Sequence, residues 1–323
     1  MESRGLRGRL LVFLLAVLAT VAPSRAATAA AVWIVLSQER GAYGEVADTV
    51  KSALAQKRGA PALEIMTLAE ATTRAGEDRA GRKPDLIVTV GAQAARQIAT
   101  LYPRAPLLHT LIPRLAFTEL AHGQAAVRHR SAIFLDQPVD RQLDLVRVAL
   151  PRHKRVAVVL GPSSRQQLGE LRAAARERSL SLSVETISEE GDLIGALNRL
   201  LDDSDVLLSV ADPVVFSGAT IHHLLLTTYR YKVPVVGLSR AYVEAGALMA
   251  VYSTPEQIGR QIAEVLGRMA ANGWALPAPQ YPKYFAVAVN ERVAASLGII
   301  LDEEEAILHR LMAVGRGESA DSL

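Results

Sequence analysis

The chain has 323 residues, 50% of them hydrophobic and 21% charged, with 22 glycines and no cysteine. That composition excludes a disordered or collagen-like chain, and the missing cysteine excludes a disulfide scaffold, thiolate metal sites, iron–sulfur clusters and cysteine nucleophiles. The formal charge of +3 sits at the start: residues 1–26 hold Arg4, Arg7, Arg9 and Arg25 against Glu2, and the remainder carries 32 basic and 32 acidic side chains. A binder of phosphate backbones keeps a basic surplus, so nucleic acid is not an expected partner.

Three arginines precede an apolar run from Leu10 to Ala22, followed by Pro23 and Ser24-Arg25-Ala26. This is the pattern of a secretory signal peptide over residues 1–26, cleaved after Ala26, with Ala27 or Ala29 as the other sites. The run is shorter than the roughly 20 residues that span a bilayer as a helix; the other reading is an uncleaved N-terminal anchor. No later segment is long and apolar enough to span. No cysteine follows the run, so a lipoprotein anchor is not expected. The predicted product is an exported, periplasmic protein held together by its core.

From residue 32 onward β-rich runs alternate with helical ones. Val32–Leu36 is nearly all apolar, as strands buried on both faces of a parallel sheet are. Gly41–Lys57 reads as a helix, Leu63–Leu68 as a strand, Asp85–Val90 as a third strand, Ala92–Leu101 as a helix and Pro106–Leu111 as a fourth strand. After a less regular stretch come a strand at Ser131–Leu135 and a helix at Pro138–Leu150. The pattern then restarts. Strands are predicted at Arg155–Leu160, Leu180–Ile187, Val206–Val210, Val233–Val236 and Leu248–Val251, with helices near Arg165–Arg178, Asp192–Leu201 and Gly218–Tyr231 between them. Thr254-Pro255-Glu256-Gln257 has the residues of a capped helix start, with Ile258, Ile262, Leu266 and Met269 on one face. Lys283–Val289 reads as a strand, Asn290 as the cap of a helix to Leu297, and Glu303–Val314 as a last helix before a disordered tail at 315–323. Two rounds of strand–helix alternation predict an α/β protein of two Rossmann-like lobes with parallel sheets.

Catalytic and nucleotide-binding motifs are missing: there is no GxSxG, GxxxxGK[ST], HExxH or GxGxxG. No cofactor and no metal site is therefore expected, and no catalytic residue is assigned. The adjacent His222 and His223 point apart on a helix, whereas chelation wants i, i+4 spacing. Glu189-Glu190 and Glu303-Glu304-Glu305 read as solvated helix starts. The turn Gly161–Ser164 is either an ordinary strand-to-helix turn or an anion seat.

Small and polar residues remain at the carboxyl ends of strands, where open α/β sheets bind ligands. They are Gly91, Ala92 and Gln93 after the third strand, His109 and Thr110 at the end of the fourth, Ser163 and Ser164 after Gly161, Asp212 and Pro213 after VLLSV, and Ser239 after VPVV. For His109 the alternatives are a ligand contact and a satisfied buried histidine. For Asp212 they are a partner for a ligand ammonium and a cap for the next turn.

The stretches AIFLDQPVDRQLDLVRVALP, RVAVVLGP, SDVLLSVADPVVF and VPVVGLSRAYVEAGALMAVYSTPEQIGRQIAEVL, with VAVNERVAASLGIIL after them, resemble the substrate-binding proteins of ABC transporters, in the group of tryptophan- and tyrosine-type binders. The likeness covers roughly residues 31–312. It implies a periplasmic-binding-protein type I fold whose lobes close on a small solute. The N-terminal lobe would comprise 31–135 plus 254–277 and the C-terminal lobe 136–251 plus 284–312, with crossings near Leu135–Gln137, Val251–Thr254 and Pro277–Tyr284. The resemblance also implies that Gly91, Ala92, Gln93, Asp212 and Ser239 line the cleft. The loop after the third strand here lacks the hydroxyl residue usual in the family, and Leu-Ile-Pro-Arg follows Thr110 where relatives have an Asp-containing turn. The expectation is a monomeric solute-binding protein serving an inner-membrane ABC permease, its solute amino-acid-like by the resemblance. A periplasmic sensing subunit, or an exported α/β enzyme, is the alternative.

Overall fold

The computed structural model describes residues 30–55, 57, 59–77, 84–122 and 129–317. The expected leader, its cleavage region and residues 318–323 lie outside them. The first sheet is built from β1 (Ala31–Leu36), β2 (Ala62–Thr67), β3 (Leu86–Val90), β4 (Leu107–Ile112) and β5 (Arg130–Phe134), with α1 (Ala42–Ala55), α2 (Leu68–Glu77), α3 (Ala92–Leu101) and α4 (Arg114–His122) between successive strands. Its order is β2-β1-β3-β4-β5, with every pair parallel.

The chain continues through α5 (Val139–Ala149), β6 (Arg155–Leu160), α6 (Leu168–Glu177), β7 (Ser181–Thr186), α7 (Leu193–Leu201), β8 (Val206–Leu208), α8 (Ile221–Arg230), β9 (Val235–Gly237), α9 (Arg240–Ala245) and β10 (Met249–Tyr252). The last elements are α10 (Pro255–Ala271), β11 (Ala286–Val289), α11 (Glu291–Leu297) and α12 (Glu304–Gly315). The second sheet runs β11-β10-β9-β8-β6-β7. Read from β7, its first five strands repeat the order of the first sheet, so the two rounds of alternation are two copies of one architecture.

Strand burial follows position. β3 is buried at every residue, whereas the edge strands β2 and β7 expose alternate or successive side chains; hence LIVTV is apolar but for Thr89 and LSLSVETI alternates. The sixth strand departs from the all-parallel expectation, since β11 is antiparallel to β10, with Tyr252 opposite Ala286 and Met249 opposite Val289. The chain re-enters this lobe beside the carboxyl end of β10 and so can only run back along it.

The two long helices of the C-terminal part pack on different lobes. Thr254 and Gln257 form the expected capping box of α10, and Ile258, Ile262, Leu266 and Met269 pack with Val32, Val46 and Val50 of the first lobe. Each such buried aliphatic side chain contributes about 1.5–3 kcal/mol. Ile307 and Leu311 of α12 pack instead with Leu143 and Val146 of the second lobe. Residues 315–317 of the expected tail belong to the end of α12: Gly315 closes the helix, and the N–H groups of Arg316 and Gly317 donate to Ala313 and Val314.

Candidate functional site

Three crossings connect the lobes, and side chains tie them together. The first runs from β5 through Leu135–Pro138 into α5, the second from β10 through Ser253, and the third follows α10 and reaches β11. On the third, Gln280 lies along β5: its N–H donates to Ala132 O and its carbonyl accepts from Phe134 N–H, both at 2.9 Å. Gln137, 5% exposed, donates from Nε2 to Ser253 Oγ at 2.9 Å, and Ser253 Oγ donates to Tyr284 O at 2.6 Å. Arg141 Nη1 donates to Gln137 Oε1 at 2.6 Å and to Pro282 O at 3.0 Å, with its guanidinium 4.0 Å from the Phe285 ring centre. Burial lowers the Arg141 pKa to about 10, which leaves it charged at neutral pH.

A further bond spans the gap between the lobes. Arg114, at the start of α4, donates from Nη2 to Glu170 Oε2 at 2.8 Å and to Gln167 Oε1 at 3.1 Å in the second lobe. Its backbone N–H donates to Asp136 Oδ2.

These contacts frame a cavity of about 290 Å³. Pro113 from the first lobe and Leu135, Asp136 and Gln137 from the crossing form one side. Val210 and Ala211 after β8, Leu238 and Ser239 after β9, and Tyr252 and Ser253 after β10 form the other, with Val139, Gln142, Gln167 and Tyr242 completing it. The cavity therefore lies at the carboxyl ends of strands from both sheets, where such sheets bind ligands. A larger open depression of about 700 Å³ around Asn290 and Ile300 is walled by the second lobe alone.

Of the residues predicted from sequence, Ser239 lines the cavity. Asp212 does not. It is 3% exposed, and its carboxylate accepts Ser164 N–H at 2.8 Å and Val214 N–H at 2.9 Å, which is the capping alternative. Ser164 is fully buried, its Oγ accepting Gly161 N–H at 2.9 Å. A Cβ at Gly161 would collide with the Asp212 carboxylate. The anion seated at this turn is thus the protein's own Asp212, and Ser164 is engaged inside the lobe.

His109 and Thr110 are also core residues, both fully buried. The Thr89 hydroxyl lies 2.8 Å from His109 Nδ1, the His109 ring packs against Phe117, and Thr110 Oγ1 donates to Thr89 O at 2.9 Å. Burial, aided by the charge of Arg130, drops the His109 pKa to about 3, so the ring is neutral. Gly91, Ala92 and Gln93 occupy the β3–α3 turn, with Gly91 buried and Gln93 exposed. Gly91 has φ +99°, and a side chain there would strike Ser37 Oγ, which accepts Ala94 N–H at 2.9 Å. Ser163 is partly exposed and Pro213 exposed; neither lines the cavity.

Sequence reasoning missed Asp136, Gln142, Tyr242 and Tyr252. Asp136 lies two residues past β5, at a carboxyl end like the residues that were chosen. Glu304 was read as a solvated helix start, yet its Oε1 accepts Val289 N–H at 2.9 Å and its Oε2 pairs with Arg240 at 3.1 Å. Among the described residues no group of three or more His, Asp or Glu side chains could hold a metal ion, and no helix is long and apolar enough to cross a membrane.

No curated protein matches the chain. Among solved structures, a ligand-free, open substrate-binding protein with adhesive properties from Clostridium difficile is similar at a TM-score of 0.67 and 19% identity, over 86% of this chain and 97% of that one. A conserved domain protein from Vibrio cholerae is similar at 0.57 and 22%, over 87% and 97%. An ABC domain of Streptococcus pneumoniae in complex with L-Trp is similar at 0.57 and 15%, over 87% and 98%. At these identities the likeness speaks to the fold, the two-lobed periplasmic-binding-protein type I arrangement. A family model described as ABC transporter substrate binding protein matches residues 78–310. Matched over well more than half of its residues, the chain belongs to the ABC transporter substrate-binding proteins.

Proposed function

We propose that the chain is exported by its leader, captures a small solute between its lobes and delivers it to an inner-membrane ABC permease, without chemical change to the solute. The observation that carries this is the cavity of about 290 Å³ bounded by strand ends from both sheets. A solute there touches both lobes, so its binding energy favours the closed arrangement over the open one. In this reading the lobes, 31–135 plus 254–277 and 136–251 plus 284–312, move as units about the three tied crossings, and the protein works as a monomer. Ser239 is the cavity contact among the residues first proposed. Ala92, Gln93, Ser163 and Pro213 form the outer rim that closes over the solute, while Gly91, His109, Thr110, Ser164 and Asp212 hold the lobes' internal shape.

The test has three parts. Thermal-shift screening of the purified mature chain against amino acids, amines, sugars, purines and organic anions is expected to yield a solute that raises the melting temperature, as a ligand of the folded state alone must. The same solute is expected to reduce the radius of gyration in solution scattering and to be recovered unaltered. Mass spectrometry of the periplasmic protein is expected to find an N-terminus just after Ala26. A solute recovered as a product, or lobes indifferent to every compound, would end this reading.

A further inference from the structure

The charge inventory of the cavity narrows the solute beyond solute capture, on which this inference rests. Among the residues lining it, Asp136 is the sole charged side chain, and no lysine, arginine or histidine joins it there. The neighbouring acids are occupied: Glu170 pairs with Arg114, Asp140 with Arg178, and Asp212 with two backbone N–H groups in the lobe interior. Asp136 accepts the Arg114 backbone N–H, but among the described residues no cationic side chain lies within 4.0 Å of its carboxylate. The Arg114 guanidinium is turned to Gln167 and Glu170. Burial raises the Asp136 pKa, and the Arg114 N–H, its own backbone N–H and the more distant Arg114 charge together offset that only in part. The rest of the lining is Leu135, Val139, Val210, Leu238 and two tyrosines, with amides and hydroxyls between them.

A largely desolvated carboxylate with no cation in direct contact is costly, and a bound cation relieves that cost. A buried carboxylate on the solute would meet no cation here and would face Asp136 as a like charge. We infer that the cavity selects a solute carrying an amine cation on an apolar or aromatic body and lacking a carboxylate, with Asp136 as the amine's partner. This differs from a zwitterionic amino acid, whose carboxylate needs a partner of its own.

The experiment uses the full mature chain and matched probes: phenethylamine and hexylamine, 3-phenylpropionate and hexanoate, 2-phenylethanol and hexanol, and L-phenylalanine. Calorimetric titration is expected to show an amine binding at least tenfold tighter than its carboxylate, its alcohol and the amino acid, the scale of a charge-assisted hydrogen bond. Asp136→Asn keeps an oxygen for the Arg114 N–H and removes the charge. It is expected to leave the ligand-free melting temperature unchanged while weakening amine binding at least tenfold. Amine affinity within twofold of the unsubstituted chain in Asp136→Asn, tighter binding of the carboxylate, alcohol or amino acid, or no binding of either amine overturns the assignment. In each of these cases, a solute found by the broad screen keeps the capture reading alive, whereas failure of that screen as well removes both.

Discussion

Asp212 clamps Ser164: a carboxylate on the loop after β8 accepts, at 2.8 Å, the backbone N–H of a buried serine on the loop after β6. Its other oxygen accepts the Val214 N–H at 2.9 Å. Two neighbouring loops of the second lobe are thereby one rigid unit at the carboxyl ends of their strands.

Removing that clamp strands the buried Ser164 N–H and the part-buried Val214 N–H. Asp212→Ala is expected to destabilise the ligand-free protein by about 2–4 kcal/mol, because each orphaned buried N–H costs about 1–3 kcal/mol. Asp212→Asn should cost less, since its amide oxygen still accepts one bond. Gly161→Ala should destabilise by driving a methyl group into the carboxylate. Urea denaturation without ligand measures all three. Unchanged stability in Asp212→Ala would return Asp212 to the list of cleft residues.

His109 makes folding sensitive to acid. Its native pKa of about 3 lies below the ordinary 6.5, so between those values the unfolded chain binds the extra proton. Stability therefore rises with pH across this window and falls toward acid by up to about 1.4 kcal/mol per pH unit. Above pH 6.5 the effect is absent. His109→Gln, which keeps an oxygen for the Thr89 hydroxyl, is expected to have a shallower loss of stability between pH 6 and pH 4 by urea titration. Parallel slopes in the two proteins would show that the ring is not held neutral.

One glutamine couples all three crossings. Gln137→Ala removes the bond to Ser253 and one of the two acceptors of the half-buried Arg141 guanidinium. The expected loss is about 1–3 kcal/mol. Calorimetry is expected to show one unfolding transition for the unsubstituted chain and two for the variant, as the lobes melt independently. A single unchanged transition would show that the lobes are coupled elsewhere.

The Arg114–Glu170 pair is partly exposed, at 30% and 39% of the side chains, and so is worth at most about 1 kcal/mol of stability. Its effect should appear in shape. Glu170→Arg is expected to raise the radius of gyration of the ligand-free protein in solution scattering, with little change in melting temperature. High salt should act in the same direction on the unsubstituted chain. Identical scattering profiles would mean that this pair does not hold the lobes together.

The amino-acid order by itself determined the local and periodic features. A nearly continuous apolar run announced β1 as an inner strand, short β-rich runs announced β3, β6 and β7 as strands, and Thr254 with Gln257 announced the start of α10. Each rests on residues within a few positions of one another. Helix α4 was not legible because the acceptor at its first turn is Asp136, 22 residues onward. Helix α2 follows β2 without a loop, its signal the short Thr67–Glu70 pairing. The direction of β11 depended on where the chain re-enters the second lobe.

The site divided along the same line. Residues at strand ends could be named from the pattern, but their orientation could not, because an inward turn of a few ångströms separates a cleft carboxylate from a loop clamp. Tertiary structure put Asp212 in the lobe interior and Asp136 in the cavity, each by contacts with segments remote in sequence. Local spacing carries no information on which remote N–H groups a carboxylate will meet, and for these two acids that meeting decides which one faces the lobe interior and which the cavity.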